Sequence, residues 1–409
     1  MGGTQNAKAV FVVTSPPSDR DIKRFGLATL QDAGIQTQLW DLSPLYHPNS
    51  TRLPLSDSSW VDLSRCSSLE DLRALCETLT TDHVVIFIGG LDSASTWCRR
   101  QMLRLIFATP ARLTTISLGH LPVLPLKDVQ GAGQRLRSLN FVTRLRDGNR
   151  WHSLYRRLII TAFISRLRLQ RRVRFGSAIR PLDRIWAGTR VSGIAQCHTD
   201  RATNVTFIHS LDYDFVLNAT PAPAFPSPYF VFIDQMGPLH PDVELLGLTF
   251  PLSMEKYSSM VCRGLAHIEA HLGLKAVIAA HPRASPGALE SWYNGRQVIY
   301  GNTPALIAHA SAVASESSTS IGLAAVHRKS IVLMTADVMF PESQMYTHAL
   351  CDALGTDLLD LDALEFPPLA LEVDENKYRR YVEDFVKRPH TPEQPFWSVV
   401  ASEILSGNI

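Results

Sequence analysis

Three short clusters in the second half of this 409-residue chain carry side chains able to hold an anion or move a proton. The first is Asp234-Gln235-Met236-Gly237, with His240-Pro241-Asp242 just after it. A carboxylate at Asp234, closing an apolar and aromatic run, suits a general base or a nucleophile. Its structural alternative is a turn in which the carboxylate accepts backbone N–H groups. The second cluster is His281-Pro282-Arg283. A histidine stiffened by proline and a neighbouring guanidinium offer donors to a phosphate or carboxylate, where the bland alternative is a satisfied surface histidine. The third, residues 315–322, reads Ser-Glu-Ser-Ser-Thr-Ser-Ile-Gly, with five hydroxyls in its first six positions. Capping a helix needs one hydroxyl; a run of them ahead of an apolar helix suits an anion such as phosphate. The chain has no G-x-x-x-x-G-K-[ST], G-x-G-x-x-G or H-E-x-x-H pattern, so neither a P-loop nor a dinucleotide fingerprint is expected, and no metal is required.

Each cluster follows a short apolar run, at 229–234, 275–280 and 312–315, that reads as a buried strand. Between and beyond them helical spacing is expected over 251–274, 285–293, 303–310, 319–327 and 342–354, with further strands at 297–300 and 330–335. Strands alternating with helices predict βαβ units and a parallel sheet covered on both faces. In such sheets ligands bind beyond the carboxyl ends of the strands, which is where all three clusters fall. The first half repeats the grammar: strands at 9–14, 36–41, 83–89, 114–118, 184–187 and 204–209, with helices at 19–33 and 95–107. Its strand-end candidates are His209, Asp212 and Asp214, suited to an acceptor, and Gly89-Gly90-Leu91-Asp92; a turn explains each equally well.

Forty basic against 38 acidic residues give a net charge of +2, which conceals an asymmetry. Residues 1–228 carry 28 basic and 17 acidic side chains, and the remainder 12 and 21, so the parts stand at +11 and −9. The change coincides with residues 220–228, four of which are proline, a composition that reads as a linker. The expected organisation is therefore a first domain over 1–222, a second over 229–390, and a terminal segment, 391–409, whose helix either packs on the second domain or crosses back to the first. Residues 135–190 hold fifteen arginines and no lysine. Interleaved with Tyr155, Leu158, Phe163 and Leu167, they form a basic amphipathic pattern suited to an anionic membrane surface or an anionic glycan. No nucleic-acid-binding signature accompanies them, so no nucleic acid partner is expected. Six scattered cysteines without a C-x-x-C pair, no apolar span of about 20 residues and no signal-peptide pattern lead to the expectation of a cytoplasmic, reduced protein, peripheral on the inner membrane through that basic stretch.

Taken in order, the clusters resemble the motifs of bacterial GT-B glycosyltransferases that use CMP-activated sugars. Sialyltransferases of that type carry an acidic-x-Gly motif, a His-Pro motif and a Ser-Ser/Thr motif; the counterparts are Asp234–Gly237, His281-Pro282 and Ser317-Ser318-Thr319-Ser320. The Asp234-Gln235 pair is closer to capsule and lipopolysaccharide β-Kdo transferases. The resemblance covers roughly residues 204–335. It implies two Rossmann-like α/β domains facing a cleft, no cofactor, and a CMP-sugar donor on the second domain. It further implies Asp234 as base or nucleophile and His281 on the donor phosphate. Gln235, Gly237, Arg283, Ser317, Ser318, Thr319 and Ser320 would complete the donor site, with Arg283 toward the sugar carboxylate. The implied activity is transfer of Kdo or another nonulosonate to a glycan or lipid-linked glycan acceptor. Two alternatives stand beside it: a UDP- or GDP-sugar transferase or sugar-nucleotide epimerase of the same fold, and a non-catalytic glycan- or nucleotide-binding subunit.

Overall fold

The structure is a computed structural model describing residues 7–47, 62–89, 91, 97–122, 180–192, 195, 198–218, 228–245 and 247–409. The proline-rich linker (219–227), Gly90, Asp92 and the arginine-rich stretch as far as residue 179 lie outside the described residues.

Strands β1 (Lys8–Val13), β2 (Gln36–Asp41), β3 (Asp62–Arg65), β4 (His83–Ile88), β5 (Arg112–Ser117), β6 (Arg184–Ala187) and β7 (Asn204–Phe207) form one sheet, in the order β3-β2-β1-β4-β5-β6-β7. A second sheet takes β8 (Tyr229–Ile233), β9 (Lys275–Ala279), β10 (Gln297–Ile299), β11 (Ala312–Ser315), β12 (Ser330–Thr335) and β13 (Asp357–Asp360), in the order β10-β9-β8-β11-β12-β13. All pairings are parallel. Counted from its own first strand, each sheet runs 3-2-1-4-5-6, the doubly wound order, with one more strand on the first. The direction of winding therefore reverses between β1 and β4 in one sheet and between β8 and β11 in the other.

Both faces of both sheets are covered, which is why the central strands read as continuous apolar runs rather than alternating ones. Along β8, Phe230 and Phe232 pack with Tyr257 and Val261 on one face, while Tyr229, Val231 and Ile233 meet Leu306, Ile321 and Leu350 on the other. The same division separates Val10 and Val12 from Ala9, Phe11 and Val13 on β1. Edge strands β3 and β13 have little buried surface, so they leave no apolar run to be read in the sequence.

Two expected helices differ in the structure. Residues 19–33 form two helices, Asp19–Arg24 and Leu27–Asp32, because Gly26 between them takes a left-handed φ of +67°. A side chain there would collide with the indole ring of Trp397, so the break is a packing requirement as well as a backbone one. Residues 285–293 are turns ending in a 3₁₀ segment, Glu290–Trp292, rather than a helix.

After β13 the chain forms the helix Glu375–Tyr381 and a π-turn, Val382–Val386, and then the helix Phe396–Leu405, which packs on the first sheet. Glu403 receives Trp186 Nε1 at 2.6 Å and Arg184 Nη1 at 3.0 Å, and Trp397 Nε1 donates to Arg24 O at 2.8 Å. Trp397→Phe keeps most of the apolar contact but removes that bond and leaves a small void. It should cost about 1–2 kcal/mol in urea unfolding; an unchanged midpoint would show that the terminal helix does not depend on this anchor.

Candidate functional site

Because β9, β8 and β11 are neighbours, the loops that leave their carboxyl ends are neighbours too, and these loops carry the three clusters. Asp234 is the first residue past β8 and is fully buried. Its Oδ1 accepts from Tyr293 Oη at 2.5 Å and from Met236 N at 3.0 Å, and its Oδ2 accepts from His281 N at 3.3 Å. Burial pushes its carboxyl up, against hydrogen bonds from Tyr293, Met236 and His281 that hold it down. Both oxygens are occupied and neither faces solvent. The carboxylate expected as base or nucleophile ties the loops after β8 and β9 together here and helps set the position of His281. The loop it holds is strained, since Met236 takes a φ of +59° without being glycine.

Gly237 follows at +46°, and a Cβ there would approach the Tyr257 ring to 2.6 Å. Its identity is thus explained by the Tyr257 ring, with no appeal to a ligand. Gln235 is half-buried and its Nε2 lies 3.3 Å from the carbonyl of Asp234.

His281 is half-buried at the tip of β9. Its Nδ1 accepts from Arg283 N at 3.3 Å, which leaves the ring proton on Nε2. Burial pushes the imidazole down to about 3, assisted by His240 and by the Arg283 and Arg20 charges. The ring is therefore neutral at physiological pH and presents Nε2–H as a donor. His240 stands edge-on to it, with ring centres 4.9 Å apart. Arg283 is pinned by Asp242 at 2.7 Å.

The hydroxyl loop is divided in its roles. Ser317 Oγ pairs with Ser343 Oγ at 2.9 Å, and Ser318 Oγ accepts from Ser320 N at 3.3 Å. Ser315, fully buried, has an Oγ with no hydrogen-bond partner. Thr319 is exposed on its own domain's edge and its methyl group approaches Gly119 of the first domain. The space there, lined by Gly119, His120, Asp212 and Thr319 among others, amounts to about 20 Å³, room for one water.

His209, Asp212 and Asp214, expected at an acceptor site, each engage other groups of the chain. His209 is fully buried, with Nε2 2.8 Å from Gln394 O and Nδ1 2.9 Å from Ser210 O. Asp214 Oδ1 accepts from Phe396 N at 2.9 Å, and Asp212 pairs with Arg24 at 3.1 Å. These three groups fasten the returning terminal segment and the first helix.

The sequence reading passed over four residues of the site. Tyr257 and Tyr293 fall within the expected helices 251–274 and 285–293 and were not singled out, yet each phenol lies beneath the strand ends. Tyr257 Oη donates to Glu316 Oε1 at 2.5 Å, as Tyr293 does to Asp234. Glu316, itself buried, is pushed up to about 7 by burial and by the Asp234 charge. A lone carboxylate straight after a buried strand was its available signal. The fourth, Arg20, whose charge acts on His281, lies in the first turn of the helix Asp19–Arg24, too far past β1 for the strand-end rule to reach.

Two doubly wound sheets, each with its switch point at the carboxyl edge and linked by a returning C-terminal helix, define a GT-B fold. The chain is similar over 99% of its length, and 99% of the other chain, to CalG4, the calicheamicin glycosyltransferase, at 14% identity and a TM-score of 0.50. Lower scores relate it to the glycosyltransferase SnogD from Streptomyces nogalater (10% identity, 98% and 99% covered, TM-score 0.44) and a UDP-GlcNAc 2-epimerase from Methanocaldococcus jannaschii (11%, 98% and 99%, 0.43). No protein-family model and no curated protein matches the chain. No helix among the described residues is long and apolar enough to cross a membrane.

Proposed function

We propose that this protein is a glycosyltransferase that takes a sugar, Kdo or another nonulosonate, from a CMP-activated donor and passes it to a glycan or lipid-linked glycan. The observation that carries the reading is the neutral His281 imidazole, its Nδ1 accepting from Arg283 N, just past the carboxyl end of β9 in the second sheet. The GT-B fold and the Ser317–Ser320 loop one strand beyond β8 support it. In the transfer, the bond between the anomeric carbon and the CMP phosphate oxygen breaks, a bond to the acceptor oxygen forms, and the proton of the acceptor hydroxyl passes to the departing phosphate or to water. Negative charge then collects on the departing phosphate. A neutral donor that needs no reorganisation stabilises that charge as it develops, and the hydroxyls of the 317–320 loop add further donors. Asp234 acts through His281, by holding its backbone N–H, and not on the substrate. Acceptor capture by the arginine-rich residues 135–190, and peripheral membrane attachment through them, belong to the same proposal.

His281→Ala removes one hydrogen bond to a charged group, worth about 1.5–3 kcal/mol, or roughly 10–100-fold in affinity. Isothermal titration with CMP should show that weakening while the unfolding midpoint stays near that of the parent. Unchanged CMP affinity would overturn the role given to His281.

A further inference from the structure

Strands β8 and β11 lie side by side and parallel, with Ile233 paired to Ser315. The next residue on each is therefore opposite the other, so Asp234 and Glu316 stand one strand spacing apart, about 4.8 Å between backbones. Alternation along the strands turns both side chains to the face of Phe232 and Ala314. Each meets a tyrosine of that same face: Tyr293 Oη donates to Asp234 Oδ1 and Tyr257 Oη to Glu316 Oε1, both at 2.5 Å. Both carboxyl groups are buried.

The groups packed around this pair bring it no cation. Tyr257 comes from the helix Met254–Leu272, as does Cys262, which acts on Tyr293; Tyr293 itself follows the 3₁₀ segment Glu290–Trp292, and the His281 imidazole is neutral. The arginines of the same elements are engaged elsewhere, Arg283 by Asp242 and Arg296 by Glu269, each at 2.7 Å. Two like charges at such a separation, poorly screened, do not both form. Hydrogen bonds decide which group keeps the proton, because each donor favours the ionised carboxylate. Asp234 has three, from Tyr293 Oη, Met236 N and His281 N. Among the described residues Glu316 has one, the Tyr257 phenol. Asp234 is therefore the charged partner and Glu316 the protonated one, and the charge of Asp234 acts on Glu316 in that sense. Both candidate anion loops rise from the pair, since Glu316 directly precedes Ser317 and Asp234 holds His281 N. Loss of the proton would put a second negative charge beneath them.

We infer that Asp234 and Glu316 form a buried carboxyl pair holding one proton, and that Glu316, while protonated, is the positioning residue that lets the 317–320 loop accept an anion. The identity of that anion as a donor phosphate rests on the proposed function; the proton held by the pair does not. Anion binding and proton binding then reinforce each other, and affinity falls once the pair is fully ionised.

The test compares the full chain with Glu316→Gln, which keeps an acceptor for Tyr257 and cannot ionise, by isothermal titration with CMP at pH 5.5 and 8.5. The phosphate of CMP titrates alike against both proteins and cancels in the ratio of affinities. Parent and variant should agree within about twofold at pH 5.5, and the parent should bind about tenfold more weakly at pH 8.5. At pH 7.5, in buffers of different ionisation enthalpy, CMP should draw more protons onto the parent than onto the variant. Affinities within about twofold of each other at both pH values would overturn the inference. Should neither protein bind CMP, the donor reading fails and the infrared difference between the two proteins at pH 6 decides the pair. A protonated-carboxyl band present in the parent and missing from the variant sustains it; no such band overturns it.

Discussion

Asp234→Ala is expected to destabilise the second domain by about 3–5 kcal/mol, the largest single loss available at this site. Three donors converge on that carboxylate, from Tyr293 Oη, Met236 N and His281 N, and all three lose their acceptor together. The Tyr293 phenol is itself fully buried, so water cannot take the place of the missing oxygen. The left-handed turn at Met236 loses the bond that offsets its strain. Asp234→Asn retains one acceptor oxygen and should recover a large part of the loss. The two variants, unfolded in urea, separate a positioning carboxylate from a reacting one. If the alanine variant keeps its stability and loses only transfer, Asp234 belongs to the chemistry after all.

Glu316→Gln is expected to stabilise the protein increasingly as pH rises from about 4 to 7. The carboxyl is raised to about 7 in the folded chain, by burial first and then by Asp234, against about 4.3 in an unfolded one. Between those values the folded state keeps a proton that the unfolded state has released, so stability falls as pH rises through that window. The penalty is complete above about 7 and amounts to about 4 kcal/mol. A glutamine has no charge to bury, and its carbonyl oxygen can still accept from Tyr257 Oη. Parent and variant should therefore coincide near pH 4 and diverge progressively up to pH 8. His281 tilts the profile the other way, since an imidazole lowered to about 3 favours the fold as pH rises toward 6.5. It is common to both proteins and cancels in the difference. Parallel pH profiles would show that the Glu316 carboxyl titrates alike in the folded and unfolded chains, and would contradict its elevation by burial.

The strand ends were legible because a parallel sheet covered on both faces leaves uninterrupted apolar runs, as at 229–233 and 275–279. The first polar residue after such a run marks the carboxyl edge. That rule led to Asp234, His281 and the hydroxyl loop. It could not distinguish a carboxylate facing the cleft from one turned inward, because that difference lies with Tyr293, 59 residues away. The contacts of His209, Asp212 and Asp214 were illegible for a related reason: their partners, Gln394, Arg24 and Phe396, are distant in sequence. Gly26 seemed an ordinary helix residue until Trp397, far along the chain, accounted for the break. The edge strands β3 and β13 carry too little buried surface to leave a pattern at all.

Donor chemistry is the central claim, and differential scanning of the full chain with CMP, UDP and GDP tests it most directly. A nucleotide present at about 100 times its Kd stabilises the folded state by about 2.7 kcal/mol. The account predicts that CMP raises the unfolding temperature by several degrees at millimolar concentration, with UDP and GDP well behind. A larger shift from UDP or GDP would assign the fold to a different sugar donor, and no shift from any of the three would contradict the proposed transferase.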